Sequence, residues 1–444
     1  MGDNRPNILY IFTDQQYAGA MSCTGNGDLH TPAMDRLAAS GVRFDNACCT
    51  YPLCLPSRAS MFTGMMPHQV GAYDNIETLP DTWPQCTLGH RVSDAGYACA
   101  YGGKWHLPEN SIPEGHGFTS ICGFSDWDLA DACIDYLQEQ PSQPFFLVAS
   151  FDNPHSICEW SRQTALPWGS VEDVPTPECP NLPANFAIPP YEPEAVAGER
   201  CPRPRSIFRG GSLTEDDWRH YRHAYYRLTE KVDAQIGRIL EALDANGLAE
   251  DTVVIFSSDH GDGLGAHRWN QKSVLYEESV RVPFIVSCPG RISPHRVDDR
   301  LVSGLDLYPT ICDYAQVEPP PEIRGRSVRP LAEGNNGVDW RDHVVAETFF
   351  GPHIGGLGTH GRMVRTGQYK YVLYSWGKYR EQLFHLPTDP GEMTNLAVEA
   401  RYASVLEDHR QLLSRWLAET DDLYESHYAH PGAIPPVPGQ SYDR

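Results

Sequence analysis

The residues best suited to chemistry lie close together in residues 51–64, where Cys54 precedes Pro56 and Arg58 and a short apolar segment ends at Gly64. Proline suits the first turn of a helix, because its fixed φ is already helical and its missing N–H would have no partner there. Cys54 would then face the positive end of the helix dipole, which lowers a thiol pKa or stabilises a nearby anion. A lone cysteine is more often a buried structural residue, but this combination is more specific.

The stretch Cys54-Leu55-Pro56-Ser57-Arg58, together with Thr63-Gly64, resembles the signature of the type I sulfatase family in the alkaline-phosphatase superfamily. The resemblance implies that Cys54 is oxidised after synthesis to formylglycine, whose hydrated aldehyde is the nucleophile. It therefore also implies a formylglycine-generating enzyme as a partner during maturation. A metal and a cationic pocket should come from other parts of the chain.

Short apolar runs alternate with amphipathic helical patterns along most of the chain. Strands are predicted at residues 8–12, 97–101, 144–151, 252–258 and 282–286, and helices at residues 31–40, 87–95, 129–138 and 214–246. Continuous apolar runs are typical of strands that are buried on both faces of a parallel sheet. The pattern therefore predicts an α/β fold with a parallel sheet, and the resemblance implies a large mixed, mainly parallel sheet sandwiched by helices, of the alkaline-phosphatase-like kind.

A change of pattern near Trp340 divides the chain into two predicted domains, a catalytic domain at 1–340 and a C-terminal subdomain at 341–444. Short half-exposed strands at 361–365, 369–374 and 382–386 predict a small antiparallel sheet, and residues 400–419 predict an amphipathic helix. This part resembles the small C-terminal α+β subdomain of sulfatases, including the turn that begins at Asp389. The resemblance leaves residues 161–211 and the tail after Tyr424 unexplained.

Polar residues follow the predicted parallel strands, and ligands of open α/β sheets bind outside the carboxyl ends of the strands. Asp14-Gln15 and Asp259-His260 each follow an apolar run, where a single such pair would more often be a turn or an N-cap. The resemblance implies one divalent cation held by Asp14, Gln15, Asp259, His260 and modified Cys54. Oxygen donors favour calcium, with magnesium as an alternative, and the histidine keeps manganese open.

A formal net charge of −23 disfavours nucleic acid and anionic membranes as partners, so an anionic substrate needs a locally positive pocket. The resemblance implies such a pocket. In it, Lys104 and Lys272 would bind sulfate, His155 or Lys272 would protonate the leaving alcohol, and His106 would accept a proton. Arg58 would hold the nucleophile and the charge of the metal site. The catalytic set is therefore Cys54, Arg58, Lys104, His106, His155 and Lys272.

Four further residues are weaker candidates for substrate binding at the rim of the pocket, and a purely structural role is at least as plausible for each of them. They are Asn75, His267, His353 and His360.

The N-terminal residues lack a basic segment followed by an apolar one, and no apolar run approaches the roughly 20 residues that a membrane span needs. We therefore expect a cytoplasmic protein without a membrane partner, or a periplasmic or secreted one if a leader has been removed. Thirteen cysteines without paired spacing are expected to be mostly reduced core residues.

The predicted function is hydrolysis of a sulfate monoester, either of a small molecule or of an oligosaccharide. A carbohydrate sulfate is favoured because the proline-rich segment 161–211 and its flank could form an aromatic and basic wall, from Trp160, Trp168, Arg203, Arg205 and Arg209. The same segment could instead be a contact in a homo-oligomer. Alternative functions are a phosphonate monoester or phosphodiester hydrolase of the same superfamily, and a non-catalytic glycan-binding relative.

Overall fold

The computed structural model describes residues 5–75, 78, 81–108, 111–139, 141, 143–202, 206–335 and 337–424. Within these residues, the strands of the larger sheet are β1 (Asn7–Asp14), β2 (Gly41–Cys48), β3 (Ala98–Gly103), β4 (Thr119–Cys122), β5 (Phe145–Pro154), β6 (Thr252–Ser258), β7 (Phe284–Ser287) and β8 (Arg296–Ser303). The smaller sheet contains β9 (His343–Phe349), β10 (His360–Thr366), β11 (Tyr369–Tyr374) and β12 (Glu381–His385).

The α-helices of the described residues vary from one turn to more than eight. They are α1 (Pro32–Ser40), α2 (Cys54–Thr63), α3 (Leu88–Asp94), α4 (Leu129–Gln138), α5 (Ile157–Ser161), α6 (Glu194–Arg200), α7 (Glu215–Ala245), α8 (Glu277–Val280), α9 (Leu307–Ala315), α10 (Arg329–Ala332) and α11 (Ala403–Glu419). None of them has both the length and the apolar character needed to cross a membrane.

The larger sheet has the strand order β4-β3-β5-β1-β6-β7-β2-β8. Strand β7 pairs antiparallel with β6 and with β2, and the other pairs are parallel. The mixed, mainly parallel sheet predicted from the sequence is therefore confirmed. It places the carboxyl ends of β1, β3, β5 and β6 along one edge.

Strand β1 explains why its sequence is a continuous apolar run. Ile8, Tyr10 and Phe12 lie in one buried hydrophobic cluster, whereas Leu9 and Ile11 lie in another on the opposite face. Helices α1, α4 and α7 contribute to the cluster around Leu9 and Ile11, and α2, α3 and α9 contribute to the other. The sheet is thus covered by helices on both faces, so both sets of alternating side chains must be apolar.

Strands β2, β4, β8 and β9 were not predicted, because their sequences lack a clear apolar run. Strand β4 has only four residues, and its side chains are exposed or half-buried. Strand β8 is at the edge of the sheet and begins with the polar residues Arg296, Asp298 and Asp299. The proline-rich segment 161–211, which the resemblance left unexplained, contains α6, whose Ala195 and Val196 are buried.

The smaller sheet is antiparallel, in the order β12-β11-β10-β9, and Leu406, Leu413 and Leu417 of α11 pack in its hydrophobic cluster. The antiparallel sheet and helix predicted for this part of the chain are therefore confirmed. Residue 340 as a domain boundary stays a prediction, and residues 425–444 of the predicted subdomain lie outside the described residues.

The start of α1 depends on a carboxylate from another helix. Thr31 occupies the N-cap position, but its side chain makes no capping hydrogen bond. Asp233 of α7 instead accepts hydrogen bonds from the N–H groups of Ala33 at 3.1 Å and Met34 at 2.8 Å. These are two of the N–H groups that the first turn of a helix leaves without a partner.

We expect Asp233→Ala to lower the free energy of unfolding by about 1–2 kcal/mol, because the buried start of α1 loses its acceptor. Urea unfolding followed by circular dichroism measures this change. The matched control is Asp244→Ala on the same helix, which removes an ion pair to Arg36 between side chains that are 48% and 45% exposed. The control substitution should lower the free energy of unfolding by less than about 1 kcal/mol. An equal decrease in the free energy of unfolding of both variants would contradict the capping role of Asp233.

Candidate active site

Four side chains with metal-ligand atoms meet at the carboxyl ends of β1 and β6. Asp14 is the last residue of β1, Asp259 and His260 follow β6, and Cys54 is the first residue of α2. One ligand atom from each of them lies within 4.8 Å of those of the other three, and all four residues are buried. The topology of the sheet therefore brings together residues that are more than 200 positions apart in the sequence.

Arg58 connects the two carboxylates from within α2, and its side chain is fully buried. Its Nη2 donates to Asp14 Oδ2 at 3.1 Å, and its Nε donates to Asp259 Oδ2 at 2.9 Å. Its Nη1 donates to the carbonyl oxygen of Lys104 at 2.6 Å and to the Ser150 hydroxyl at 3.0 Å. The guanidinium thus compensates the negative charge of both carboxylates and fixes their positions relative to α2.

The two carboxylates differ in how readily they ionise. Burial disfavours the charge on Asp14, but nearby cations, led by Lys104, outweigh it and hold the pKa of Asp14 well below its usual value. Burial and the neighbouring Asp14 charge raise the pKa of Asp259 to about 6. Two buried carboxylates this close together favour either a proton or a cation between them.

The imidazole of His260 is oriented by the backbone. Its Nδ1 lies 2.9 Å from the carbonyl oxygen of Gly261, so Nδ1 donates its proton there. Nε2 then presents a lone pair toward the cluster, at 3.3 Å from Cys54 Sγ and 3.7 Å from Asp14 Oδ1. An imidazole oriented in this way presents Nε2 to a metal ion.

Gln15 interacts with the cluster through both its backbone and its side chain. Its N–H donates to Asp259 Oδ1 at 3.0 Å, and its Nε2 donates to Asp262 Oδ2 at 2.7 Å. Its side-chain oxygen accepts a hydrogen bond from Lys272 Nζ at 2.8 Å. Asp262 was not predicted from the sequence, although it comes three residues after Asp259 in the same loop.

Lys272 is the nearest cation to the Cys54 thiol, with Nζ at 3.0 Å from Sγ. Burial and the Asp14 carboxylate disfavour a Cys54 thiolate, but the cations around it, led by Lys272 and Lys104, outweigh them, so the pKa of Cys54 lies well below its usual value. The sequence analysis expected this effect from the start of the helix. In the structure the two lysines are its main cause, and Arg58 pairs with the carboxylates.

The backbone on both sides of Lys272 lies in the left-handed region, with φ of 63° at Gln271 and 75° at Ser273. The N–H of Ser273 donates to the carbonyl oxygen of Pro52 at 2.8 Å. The carbonyl of Ser273 accepts a hydrogen bond from the Thr348 hydroxyl at 2.6 Å. Lys272 is therefore held between the segment that precedes Cys54 and strand β9 of the smaller sheet.

Lys104, which follows β3, pairs with two carboxylates. Its Nζ lies 2.8 Å from Asp14 Oδ2 and 2.9 Å from Asp152 Oδ1. Asp152 also accepts a hydrogen bond from the indole N–H of Trp168 at 2.7 Å, and it lies 3.7 Å from His155 Nδ1. Sequence reasoning missed Asp152, although, like Asp14, it stands near the end of a buried strand.

The two histidines near Lys104 have opposite pKa shifts. Burial lowers the pKa of His106, although its interaction with Cys54 opposes the shift, so this imidazole is neutral at neutral pH. Burial also disfavours the charged form of His155, but the neighbouring Cys158 and Asp14 outweigh it and raise the pKa of His155 well above its usual value. His106 is therefore suited to accept a proton, and His155 to donate one.

A cleft of about 710 Å³ opens beside Lys104 and His155. Its walls come from residues 103–124, which include β4, from the end of β5, and from α5 and the residues that follow it. The lining residues are Gly103, Lys104, Trp105, His106, Pro113, Ser120, Cys122, Gly123, Phe124, Asp152, His155, Glu159, Ala165 and Pro167. Trp168 packs edge to face on Phe124, with ring centroids 5.3 Å apart.

Two of the four rim candidates lie near the start of α2. The side-chain oxygen of Asn75 is 3.4 Å from the N–H of Leu55, next to Cys54. His353 is exposed, and its backbone hydrogen-bonds to Asp74, the neighbour of Asn75.

The other two rim candidates pack against aromatic rings. His267 is fully buried rather than at a rim, and it stacks on Tyr276 with a centroid distance of 3.8 Å. His360 opens β10 and stacks on Phe349 at 4.3 Å.

The residues of the predicted aromatic and basic wall are spread apart. Trp168 lies at the cleft, whereas Trp160 packs against Tyr221 of α7. Arg209 is exposed. Arg203 and Arg205 lie outside the described residues.

Comparison with known families identifies the chain. A model described as Sulfatase matches residues 6–317, and one described as N-sulphoglucosamine sulphohydrolase, C-terminal, matches residues 265–419. The chain belongs to the sulfatase family. The resemblance drawn from the Cys54 segment is therefore confirmed, and the protein is a hydrolase of sulfate esters.

This sulfatase is similar to several other sulfatases. It is 33% identical to Delta 4,5-hexuronate-2-O-sulfatase of Bacteroides thetaiotaomicron, over 95% of this chain and 91% of that protein. The structure of a 2-O GAG sulfatase matches with a TM-score of 0.82 and 32% identity, covering 95% of this chain and 94% of that one. The structure of a protein in complex with its substrate D-glucosamine-2-N,6-O-disulfate matches with a TM-score of 0.79 and 25% identity. The match covers 94% of this chain and 98% of that one.

The donor set of this sulfatase fits the divalent cation that its family implies. Two carboxylates, an imidazole nitrogen in its metal-binding form and the Cys54 position converge within 4.8 Å. Carboxylate oxygens suit calcium and magnesium, and an imidazole ligand is also compatible with manganese. Asp14, Asp259 and His260 would hold the ion, with Gln15 beside them.

We expect added Ca²⁺ to raise the thermal unfolding midpoint of chelator-treated protein, because an ion that binds only the folded state stabilises it by about 2.7 kcal/mol at 100 times Kd. Mg²⁺ and Mn²⁺ are compared at equal ionic strength. Asp259→Asn should abolish the shift. The control Asp126→Asn changes a buried carboxylate that accepts the N–H groups of Asp152 and Asn153, and it should keep the shift. A shift that survives Asp259→Asn would contradict this site.

Proposed function

We propose that this sulfatase hydrolyses sulfate monoesters of carbohydrates through a formylglycine formed from Cys54 and one divalent cation, calcium before magnesium or manganese. The observation that supports this most directly is the position of Cys54. It is the first residue of α2, with Sγ 3.0 Å from Lys272 Nζ and 3.3 Å from His260 Nε2. A formylglycine-generating enzyme would act on the chain during maturation.

The cation and the formylglycine, when present, supply charge neutralisation and the nucleophile. The residues around them have separate tasks. Lys104 and Lys272 bind the sulfate oxygens and stabilise the charge that grows on them as the ester bond breaks. Arg58 keeps Asp14 and Asp259 in place and prevents their charges from repelling the substrate. These buried cations provide the positive pocket that a chain with a net charge of −23 needs for an anionic substrate.

The two histidines of the cleft carry out the proton transfers. His155 has a raised pKa, so it is protonated and can donate to the oxygen of the leaving alcohol. His106 has a lowered pKa, so it is neutral and can accept a proton in the second half of the reaction. Asp152 contacts Lys104 and lies near His155, so it positions the sulfate-binding lysine and the acid relative to each other.

A carbohydrate substrate is supported by the relatives and by the cleft. The similar proteins named above act on a hexuronate sulfate and on a sulfated glucosamine. The cleft beside the cationic pocket has a volume of about 710 Å³, so it has room for a ring in addition to the sulfate. An exposed aromatic side chain, Phe124, lines it.

We expect Cys54→Ser to stop multiple turnover of 4-nitrophenyl sulfate, because serine has no sulfur for the conversion to formylglycine. The protein should be produced together with a formylglycine-generating enzyme. Mass spectrometry of the Cys54 peptide then reports the replacement of CH2–SH by CHO in the wild type. Cys48→Ser is the matched control, because Cys48 is also buried but lies in β2. Full turnover by Cys54→Ser would refute the proposed nucleophile.

The phosphonate monoester or phosphodiester alternative is tested by parallel rates on aryl sulfate and aryl phosphonate esters. We expect kcat/KM to be higher for the sulfate. Lys104→Ala should lower kcat/KM for the sulfate by about 100-fold or more, because the variant lacks a buried cation at the reacting group. The exposed Lys378→Ala should leave it unchanged. A higher kcat/KM for the phosphonate in wild-type protein would favour the alternative.

A further inference from the structure

The side-chain amide of Gln15 lies between a cation and a carboxylate, and these two neighbours fit only one orientation of the amide. Lys272 Nζ donates to Gln15 Oε1 at 2.8 Å, and Gln15 Nε2 donates to Asp262 Oδ2 at 2.7 Å. An ammonium group can only donate a hydrogen bond, and a carboxylate can only accept one. A reversed amide would place its NH2 group against the ammonium group and its oxygen against the carboxylate, so both hydrogen bonds would be lost.

The backbone of Gln15 is fixed independently of this amide. Its φ is 73°, in the left-handed region. Its N–H donates to Asp259 Oδ1 at 3.0 Å, and its carbonyl oxygen accepts a hydrogen bond from the Tyr225 hydroxyl at 2.7 Å. Because the side chain is fully buried, its protein neighbours decide which end of the amide faces Lys272.

Asp262 is itself held in place by two other donors. Its Oδ1 accepts a hydrogen bond from the N–H of Leu264 at 2.8 Å, and its Oδ2 accepts one from the Tyr221 hydroxyl at 2.7 Å. The Tyr221 hydroxyl in turn accepts a hydrogen bond from the N–H of Gln271 at 3.2 Å. Gln271 directly precedes Lys272, so the network around this carboxylate also supports the backbone next to the sulfate-binding lysine.

The orientation of the amide matters for Lys272. Among the described residues, Lys272 Nζ donates hydrogen bonds to Cys54 Sγ at 3.0 Å and to Gln15 Oε1 at 2.8 Å. Conversion of Cys54 to formylglycine removes the sulfur, so Gln15 Oε1 is the acceptor that stays unchanged in the mature enzyme. The oxygen is also the only end of the amide that could bind a cation, because the NH2 group is a donor.

We propose that Asp262 is a positioning residue of the sulfatase site. It fixes the Gln15 amide with Oε1 toward Lys272, and this keeps the ammonium group of Lys272 in place to bind the sulfate. The inference rests on the proposed function, from which the role of Lys272 is taken. It adds a residue that belongs neither to the metal-ligand cluster nor to the lining of the cleft.

The first part of the test removes the negative charge of Asp262 without changing its shape. The mature, formylglycine-containing enzyme and its variants are compared by kcat/KM for 4-nitrophenyl sulfate. The carboxylate of Asp262 accepts three donors, whereas the asparagine in Asp262→Asn has one acceptor oxygen and an NH2 group. The hydrogen bond from Gln15 Nε2 is therefore weakened, and we expect kcat/KM to fall about tenfold.

The second part exchanges the carboxylate and the amide. Gln15→Glu alone places two carboxylates against each other, and we expect kcat/KM to fall about tenfold or more. In the double variant with Asp262→Asn, the introduced amide donates to the introduced carboxylate, whose other oxygen still faces Lys272. The total charge is that of the wild type. We expect kcat/KM of the double variant to exceed that of Gln15→Glu by about tenfold, a recovery that independent effects of the two changes would not produce.

The matched control is Asp233→Asn, which makes the same change at a buried carboxylate that caps α1, and it should keep kcat/KM within twofold of the wild type. Binding of Ca²⁺, followed by the thermal unfolding midpoint, gives a readout that needs no turnover. We expect Asp262→Asn to raise the Kd for Ca²⁺ several-fold, because the amide oxygen beside the metal ligands is no longer fixed, and the double variant to reverse this increase.

The outcomes distinguish this inference from the proposed function. A double variant that is no more active than Gln15→Glu, or Asp262→Asn with kcat/KM within twofold of the wild type, would overturn the inference and leave the sulfatase function intact. If the wild-type enzyme hydrolyses no sulfate ester, the proposed function fails. The Kd for Ca²⁺ then decides the role of Asp262: an unchanged Kd in Asp262→Asn overturns it, and a raised Kd that the double variant reverses supports it.

Discussion

The buried contact of Arg58 with Asp14 and Asp259 is the interaction on which the site depends. All three side chains are fully buried, and removing such charges from water costs several kcal/mol for each ion. This cost is offset because each guanidinium nitrogen finds an acceptor, and because Asp14 Oδ2 and both oxygens of Asp259 find donors. The same contact joins three elements, since Asp14 ends β1, Asp259 follows β6 and Arg58 lies in α2. A single arginine therefore sets the position of α2, and with it that of Cys54, relative to the sheet.

Much of this arrangement could be predicted from the sequence, because the strands with the clearest apolar runs are also the strands whose carboxyl ends carry the site residues. Strands β1, β5 and β6 are buried on both faces, which makes them continuous apolar runs, and their carboxyl ends are where a parallel sheet can present polar groups. Asp14 and Asp259 were found in this way. The weaker elements were missed for physical reasons: β4 is short and β8 is a polar edge strand, so neither needs an apolar pattern.

Some residues of the site were not predicted from the sequence, for a different reason. Asp152 and Asp262 act through contacts with other side chains, and no spacing in the sequence reveals such contacts. His267 shows the opposite case. The sequence analysis named His267 as a candidate at the rim of the pocket, but its side chain is fully buried and its ring stacks on Tyr276. Sequence spacing thus predicts which segments approach the site, whereas the side-chain contacts depend on how the loops pack.

The smaller sheet has a direct part in this site, through the segment that contains Lys272. Left-handed backbone at Gln271 and Ser273 costs of order 1–3 kcal/mol for each residue, so neighbouring structure must hold it. Thr348 of β9 bonds to the carbonyl of Ser273, and Lys370 of β11 pairs with Glu277 at 3.2 Å, five residues beyond Lys272. Because Pro52 holds the same segment from the other side, Lys272 reaches Cys54 only when the two sheets are packed together. The cationic pocket is therefore a product of the whole fold, and a change in the smaller sheet can lower activity without touching a residue that meets the substrate.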